Sequence, residues 1–176
     1  MKLPDTEQLC AKLIEELRPV ITSHTAMVGI YTGGLWLAER LHKALGITAP
    51  LGALDISFYR DDFDTAGLHH TVHPSQIPFQ VDGAEILLVD DVLYTGRTVR
   101  AAMNELFDYG RPASISLVVV ADRGERQLPI AAQYCGTKVS VPPGKLLRLS
   151  KDEAGKFSMK LSDQKSKPEI QTDSKA

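Results

Sequence analysis

The chain has 176 residues, of which 43% are hydrophobic and 24% are charged. This length and composition are typical of one globular domain, and no apolar run approaches the roughly 20 residues of a membrane-spanning helix. The formal net charge of −2 excludes a chain-wide attraction to nucleic acids or anionic membranes, so any basic surface would have to be local.

The cysteines and the first residues bear on the cellular compartment. Cys10 and Cys135 are too few and too far apart in sequence for a disulfide framework or a metal motif, so we expect reduced thiols. The chain does not open with the charged and apolar regions of a signal peptide. We therefore expect a cytoplasmic protein with no membrane partner.

The first half of the chain alternates helical and extended patterns. Asp5 can cap a first helix, which Pro19 ends. A strand, a helix and a strand are then predicted at Ala26–Tyr31, about Leu35–Leu45 and Leu51–Tyr59. Residues 60–82 contain two prolines and no sustained periodicity, which predicts a long loop of a kind that is usually functional or disordered.

The second half continues the alternation. A strand is predicted at Glu85–Asp91, a helix at about Arg97–Tyr109 and a strand at Ser114–Ala121. Two shorter strands are predicted at Gln133–Cys135 and Lys145–Leu149. From Asp163 onward the composition is polar and typical of disorder. We therefore predict one α/β domain over residues 1–162, with a mainly parallel central sheet flanked by helices, and a disordered tail over residues 163–176.

The segment ILLVDDVLYTGRT, residues 86–98, combines an apolar strand, an acidic pair and a strand-to-helix turn. Because unpartnered buried carboxylates are costly, Asp90 and Asp91 should lie at the carboxyl end of the strand and face solvent or a cation. The amides of the next helix's first turn, with Gly96 and two threonine hydroxyls, suit a phosphate monoester. Phosphate at one end and vicinal hydroxyls near the acids describe a 5-phosphoribosyl group. A bare DDxxxTG would more simply be a helix-capping turn, but the complete order of features argues against that reading.

This segment resembles the phosphoribosyl pyrophosphate (PRPP) signature of type I phosphoribosyltransferases. Longer stretches are similar to one branch, the pyrimidine operon attenuator/uracil phosphoribosyltransferases of the PyrR type. The similar segments are VGIYTGGLWLAERL (28–41), LDISFYRDD (54–62), ILLVDDVLYTGRTVRAAM (86–103) and GRPASISLVVVADRGERQLPI (110–130). The resemblance implies the type I phosphoribosyltransferase fold, with a small hood and a flexible loop, and a homo-oligomer, either a dimer or a tetramer.

The resemblance also implies a reaction: uracil and PRPP give UMP and pyrophosphate, with Mg²⁺ held largely by substrate and water. It places Asp90 and Asp91 at the ribose hydroxyls and Arg60 at the pyrophosphate. Residues 61–80 would form a mobile hood that excludes water. The 5-phosphate is expected to contact Tyr94, Thr95, Gly96, Arg97 and Thr98. The pyrophosphate is expected to contact Thr32, Gly33 and Gly34. The base is expected to contact Ala121, Asp122 and Arg123.

One position departs from the family pattern. Gly33 stands where many relatives have an arginine, so a cation beside the leaving pyrophosphate is missing. The backbone donors remain, and we expect activity with weaker PRPP binding. His69, His70 and His73 lie in the predicted loop, where no regular element fixes their directions, so we expect solvated histidines and no metal site.

Two alternative functions stay open at this point. PyrR-type proteins include regulators that bind pyrimidine-operon mRNA through a basic dimer face, which requires phosphate-neutralising lysines and arginines. Charge disfavours RNA binding here, because the first helix is rich in glutamate and Glu125 stands where regulators tend to be basic, although Arg111, Arg123 and Arg126 could cluster. The second alternative is a phosphoribosyltransferase of the same fold that acts on another nucleobase, such as a purine.

Overall fold

The computed structural model describes residues 3–56 and 73–163. Within these ranges the helices are α1 (Thr6–Leu17), α2 (Gly33–Leu45) and α3 (Arg97–Tyr109), with a 3₁₀ turn at Arg18–Val20. The strands are β1 (Thr25–Ile30), β2 (Gly52–Leu54), β3 (Glu85–Leu93), β4 (Ser114–Asp122), β5 (Tyr134–Lys138), β6 (Lys145–Lys151) and β7 (Phe157–Asp163). None of these helices is long and apolar enough to cross a membrane.

Five strands form one parallel sheet in the order β2-β1-β3-β4-β5. Its register places Val28 of β1 beside Leu88 of β3, and Leu88 beside Leu117 of β4. Strands β6 and β7 pair separately as an antiparallel hairpin. The predicted α/β class with a parallel central sheet is confirmed, and all five carboxyl strand ends lie along one edge of the sheet.

The helix ends follow the local chemistry of the sequence. The Asp5 carboxylate accepts the Glu7 N–H at 3.0 Å and caps α1 as predicted. Helix α3 has the predicted bounds and stops before Gly110. Helix α2 begins at Gly33, two residues earlier than predicted, so the glycine pair forms its first turn and does not separate strand from helix.

Two apolar cores cover the two faces of the sheet. One contains side chains of α1, α2 and the β6–β7 hairpin, including Leu13, Leu37 and Leu149. The other contains side chains of α3, including Val99 and Leu106. Helices on both sides explain why β1 is buried along its whole length, as expected for a strand inside a parallel sheet.

Several predicted bounds differ from the structure. Strand β2 ends at Leu54, whereas the prediction continued to Tyr59, a residue outside the described ranges. Strand β7 was not predicted, and it extends through Asp163, the residue where the predicted tail begins. Residues 60–72 and 164–176 lie outside the description, so the predicted hood and disordered tail stay predictions there.

Candidate active site

The acidic pair lies inside β3, because this strand continues to Leu93. Asp90 is 2% exposed and Asp91 is 5% exposed, so of the two surroundings predicted for them, solvent or a cation, solvent is wrong. Asp90 Oδ1 accepts the Asp91 N–H at 2.9 Å, and Asp91 Oδ2 accepts the Leu149 N–H of β6 at 3.1 Å. These hydrogen bonds from backbone amides permit the burial of both carboxyl groups, and the sequence could not reveal them.

The first turn of α2 lies directly against these two acids. A β-carbon built on Gly33 would lie 2.5 Å from Asp91 Oδ2, and one built on Gly34 would lie 2.6 Å from the Val89 carbonyl oxygen. Only glycine permits such a close approach. The partial positive charge at the amino end of a helix favours nearby carboxylates, which is a second reason why the pair can be buried.

The turn from β3 to α3 holds the residues predicted to bind phosphate. Gly96 has φ +94°, a conformation that favours glycine, and it immediately precedes α3. The Arg97 N–H donates to Thr95 Oγ1 at 3.2 Å, and Thr95 is 4% exposed. The first turn of α3 contains no acidic residue, so its amino end suits an anion.

The segment after β4 packs on this turn. The Arg123 N–H donates to the Leu93 carbonyl at 3.0 Å, and the N–H groups of Gln127 and Leu128 donate to the Thr95 carbonyl at 3.0 and 3.2 Å. The Arg126 guanidinium donates to the Tyr94 carbonyl. The predicted phosphate and base residues therefore form one hydrogen-bonded unit.

Asp122 is held by Arg126 within that unit. The guanidinium donates to both carboxylate oxygens at 2.7 Å. Burial opposes ionisation of Asp122, but Arg126 and the Gly124 amide outweigh it and hold the pKa of the carboxyl below its usual value. Because Arg126 binds both carboxylate oxygens, the Asp122 side chain holds the loop in place.

Arg123 is the most buried cation of this region, at 8% exposure. Its guanidinium lies 3.9 Å from the centroid of the Tyr94 ring and donates from Nη1 to the Lys145 carbonyl at 3.2 Å. Within the described ranges, its buried Nε has no hydrogen-bond partner. An open cleft of about 380 Å³ lies here, lined by Asp122, Arg123, Gly124, Lys138, Val139 and Ser140.

Comparison with known proteins fits this geometry. Residues 2–141 match the family described as Phosphoribosyl transferase domain. "Bifunctional protein PyrR" of Pseudomonas syringae pv. syringae (strain B728a) is 47% identical over 157 residues, which cover 87% of this chain and 92% of the relative. The protein of the same name from Nitrosococcus oceani is 51% identical over 140 residues, covering 78% and 79%.

The chain belongs to the phosphoribosyltransferase family, in its PyrR branch.

Solved phosphoribosyltransferases share its fold. A hypoxanthine phosphoribosyltransferase from Staphylococcus aureus has a TM-score of 0.62 at 21% identity, covering 81% of this chain and 76% of that chain. A hypoxanthine-guanine phosphoribosyltransferase from Bacillus anthracis has a TM-score of 0.63 at 18% identity, covering 79% and 83%. At these identities the likeness shows the phosphoribosyltransferase fold alone.

The structure brings most of the predicted phosphoribosyltransferase residues to one sheet edge. Gly33 and Gly34 lie against the acid pair, and the turn at Tyr94–Thr98 contacts the segment after β4. Ala121 is 1% exposed, inside β4 between Val92 of β3 and Thr137 of β5. Arg60 lies outside the described residues.

Sequence reasoning missed several residues of this phosphoribosyltransferase site. Arg126 was considered only for RNA binding, although its spacing from Asp122 could have indicated an ion pair. Leu149 contributes a backbone amide and therefore leaves no signal in the sequence. Lys138 and Ser140 line the cleft because Lys138 ends β5 and Ser140 follows it, and the end of this strand was predicted three residues too early.

The arginines considered for RNA binding do not form one exposed patch. Arg123 is buried and pairs with Glu125 at 3.3 Å, and Arg126 pairs with Asp122. His73 stacks on Tyr31 with ring centroids 4.5 Å apart, while His69 and His70 lie outside the description. Among the described residues, no group of three or more His, Cys, Asp or Glu could hold a metal.

Proposed function

We propose that the chain is a uracil phosphoribosyltransferase of the PyrR type, which makes UMP and pyrophosphate from uracil and PRPP in the cytoplasm. One observation carries the proposal: a glycine-dependent turn at an acid-free helix start lies beside a buried acid pair, at the carboxyl edge of a parallel sheet. Ligands of open α/β sheets bind at this edge. The name of the relatives, bifunctional protein PyrR, and the share of each chain that the similarity covers support it.

The turn at Tyr94–Thr98 would bind the 5-phosphate of PRPP. Backbone N–H groups of the first turn of α3 can donate to the phosphate oxygens, and the helix dipole favours their charge. Arg97 adds a cation at the same point, and the conformation of Gly96 lets the ligand approach the backbone. This arrangement anchors the sugar and fixes the direction of its anomeric carbon.

Asp90 and Asp91 would lie at the ribose end of the site. As the bond to pyrophosphate breaks, positive charge develops on the sugar, and nearby buried carboxylates stabilise that charge more strongly than water-exposed ones. The N1 lone pair of uracil forms the new bond to the anomeric carbon. The bonding electrons of the old bond leave with pyrophosphate, and the N1 proton passes to solvent.

Mg²⁺ fits this site, because carboxylate oxygens are the ligands it prefers. The two acids already occupy the amino end of α2, so a pyrophosphate placed at Thr32–Gly34 needs a cation between itself and these acids. PRPP and water would provide most ligands, with Asp90 and Asp91 nearby, and the bound ion would neutralise leaving-group charge. Arg60, which lies outside the described residues, would supply a further cation to the pyrophosphate.

Uracil would lie in the cleft after β4 and β5. The unpartnered Nε of Arg123 supports this placement, because a buried donor without a partner is unfavourable and a ring carbonyl oxygen could accept from it. Backbone groups of Ala121 and Asp122 would contact the remaining polar edge of the base. We also propose a homo-oligomer, dimer or tetramer, which light scattering would test.

The substrate assignment is tested by measuring pyrophosphate release with uracil, hypoxanthine, guanine and orotate, each with PRPP and Mg²⁺. We expect product from uracil alone, identified as UMP. Product from a purine base would contradict the choice of uracil. Absence of product with all four bases would contradict the enzyme assignment.

A second candidate activity is regulation by binding pyrimidine-operon mRNA, since the relatives are named bifunctional. The internal pairing of Arg123 and Arg126 argues against a basic patch there. Filter binding of the leader transcript, with and without UMP, tests this activity. Retention that falls steeply with salt would support it, and retention that is absent or insensitive to salt would exclude it.

A further inference from the structure

The chain that runs along the outer side of β2 brings His73 to the carboxyl edge of the sheet. Gln76 forms an antiparallel bridge with Ala53 of β2, and each backbone N–H donates to the other's carbonyl at 2.8 Å. Because the bridge is antiparallel, the chain from Gln76 back to His73 follows β2 toward its carboxyl end. Just beyond that end, the His73 N–H donates to Asp55 Oδ2 at 2.6 Å.

The His73 ring is oriented by Tyr31. The two ring centroids lie 4.5 Å apart and the ring planes differ by 6°, which is a stacked pair. Tyr31 directly follows β1, and its N–H donates to the Leu54 carbonyl of β2 at 3.0 Å. A second contact fixes the His73 segment, since the Asp55 N–H donates to Ser75 Oγ at 3.1 Å. The stack is therefore supported by two neighbouring strands of the sheet.

This stack adjoins the turn where pyrophosphate is proposed to bind. Tyr31 immediately precedes Thr32–Gly34, and consecutive Cα atoms are about 3.8 Å apart, so the stack and the turn are neighbours. His73 is exposed, and both nitrogens of a protonated histidine ring can donate hydrogen bonds. The fold thus places a hydrogen-bond donor beside the proposed pyrophosphate turn.

The turn itself carries no cationic side chain. Gly33 stands where many relatives have an arginine, and a β-carbon on Gly33 would lie 2.5 Å from Asp91 Oδ2. An arginine at this position would therefore displace neighbouring atoms. The buried carboxyl groups of Asp90 and Asp91 add negative charge on the same side. A donor from another segment would offset both effects on a pyrophosphate bound at this turn.

We propose that His73 binds the pyrophosphate group of PRPP and supplies the side-chain donor that Gly33 lacks. The Tyr31 ring holds the imidazole beside the turn, and a ring N–H donates to a pyrophosphate oxygen. This hydrogen bond becomes stronger as the bond to the anomeric carbon breaks and negative charge increases on the leaving group. The assignment rests on the proposed function, because it requires PRPP as the ligand.

Calorimetric titration with PRPP and Mg²⁺ tests the contact in His73→Phe. This variant keeps a ring that can stack on Tyr31 and removes both ring nitrogens. We expect PRPP binding to weaken on the order of 10-fold, because a hydrogen bond to a charged group is lost. The matched control is His24→Phe, at an exposed histidine before β1 on the other edge of the sheet, and it should bind PRPP as the wild type does. Wild-type affinity in His73→Phe would overturn the proposal.

Ligands with and without pyrophosphate separate this contact from general damage to the site. Inorganic pyrophosphate with Mg²⁺ should lose affinity for His73→Phe, as PRPP does. UMP carries the 5-phosphate and the base but no pyrophosphate, so it should bind His73→Phe as tightly as the wild type. Equal losses of affinity for UMP and PRPP would show that His73 only supports the fold of the site, against the proposal.

A lysine at the same position tests whether the donor itself matters. His73→Lys has a cationic donor without a ring, so we expect PRPP affinity between those of His73→Phe and the wild type. Affinity no higher than that of His73→Phe would contradict the proposal. A wild type that binds neither PRPP nor UMP would instead refute the proposed function, and the position of His73 against Tyr31 would stand.

Discussion

Two strand-to-helix junctions lie side by side at the carboxyl edge of the sheet, and they differ in what faces the helix. The junction from β1 to α2 packs Gly33 and Gly34 onto a pair of carboxylates. The junction from β3 to α3 carries Arg97, and the atoms nearest a β-carbon on Gly96 belong to the apolar side chains of Leu128 and Ile130. The protein's own charges thus occupy one helix start, while the other is suited to an external anion.

The largest expected effect concerns Asp90, at the proposed ribose end of the site. Asp90→Asn should lower kcat/KM for uracil and PRPP on the order of 100-fold, because a preorganised charge beside the developing cation is lost. Steady-state kinetics measure this change. Glu85→Gln, at the other end of β3, is the control and should leave kcat/KM unchanged; equal losses in both variants would contradict the role of Asp90.

The turn before α3 should show the next largest effect. Gly96→Ala forces a side chain to φ +94° and brings it 3.4 Å from the β-carbons of Leu128 and Ile130, which should lower the free energy of unfolding by about 1–3 kcal/mol and weaken PRPP binding. Gly83→Ala, at φ +73° with open space around it, is the matched control. Chemical denaturation and PRPP titration should separate the two, because only Gly96→Ala affects binding. Equal PRPP affinity in the Gly96→Ala and Gly83→Ala variants would contradict the role of the turn before α3 in binding PRPP.

A substitution of Arg123 tests the proposed position of the base. Arg123→Gln should raise KM for uracil roughly 10-fold, because the buried donor in the cleft is lost, and should change KM for PRPP far less. Arg100→Gln, on the exposed face of α3, should change neither constant. A larger effect of Arg123→Gln on PRPP than on uracil would place the base elsewhere.

The smallest effect is the pH dependence of the clamp between Asp122 and Arg126. The pKa of Asp122 is lowered in the folded protein, so the ion pair stabilises the fold above the ordinary value of 3.8 and loses this contribution as pH falls through the folded pKa. Unfolding at pH 7 and at pH 3 should show a smaller loss of stability in Asp122→Asn than in the wild type. Identical pH dependence would show that the pair contributes nothing.

The sequence predicted what local chemistry determines. The bounds of α3 follow from helical periodicity up to Gly110, and Gly96 indicated a turn before that helix. The apolar run of β3 correctly predicted a strand buried on both faces. Each of these signals lies within a few residues of the feature it predicts.

The remaining features depend on contacts between distant segments. The sequence could only place Asp91 toward solvent or a cation, because its partner, the Leu149 amide, lies 58 residues away and is a backbone group. Strand β7 alternates polar and apolar residues in a region of high charge, and only pairing with β6 makes it a strand. The start of α2 at Gly33 requires the close approach of β3, which no local pattern shows.

The central claim is that the turn at Tyr94–Thr98 binds the 5-phosphate of the substrate. A crystal structure of the protein with UMP tests it most directly. The account predicts the phosphate within hydrogen-bond distance of the backbone N–H groups at the start of α3, with the ribose toward Asp90. A phosphate bound at the start of α2, or anywhere away from Thr95–Thr98, would contradict it.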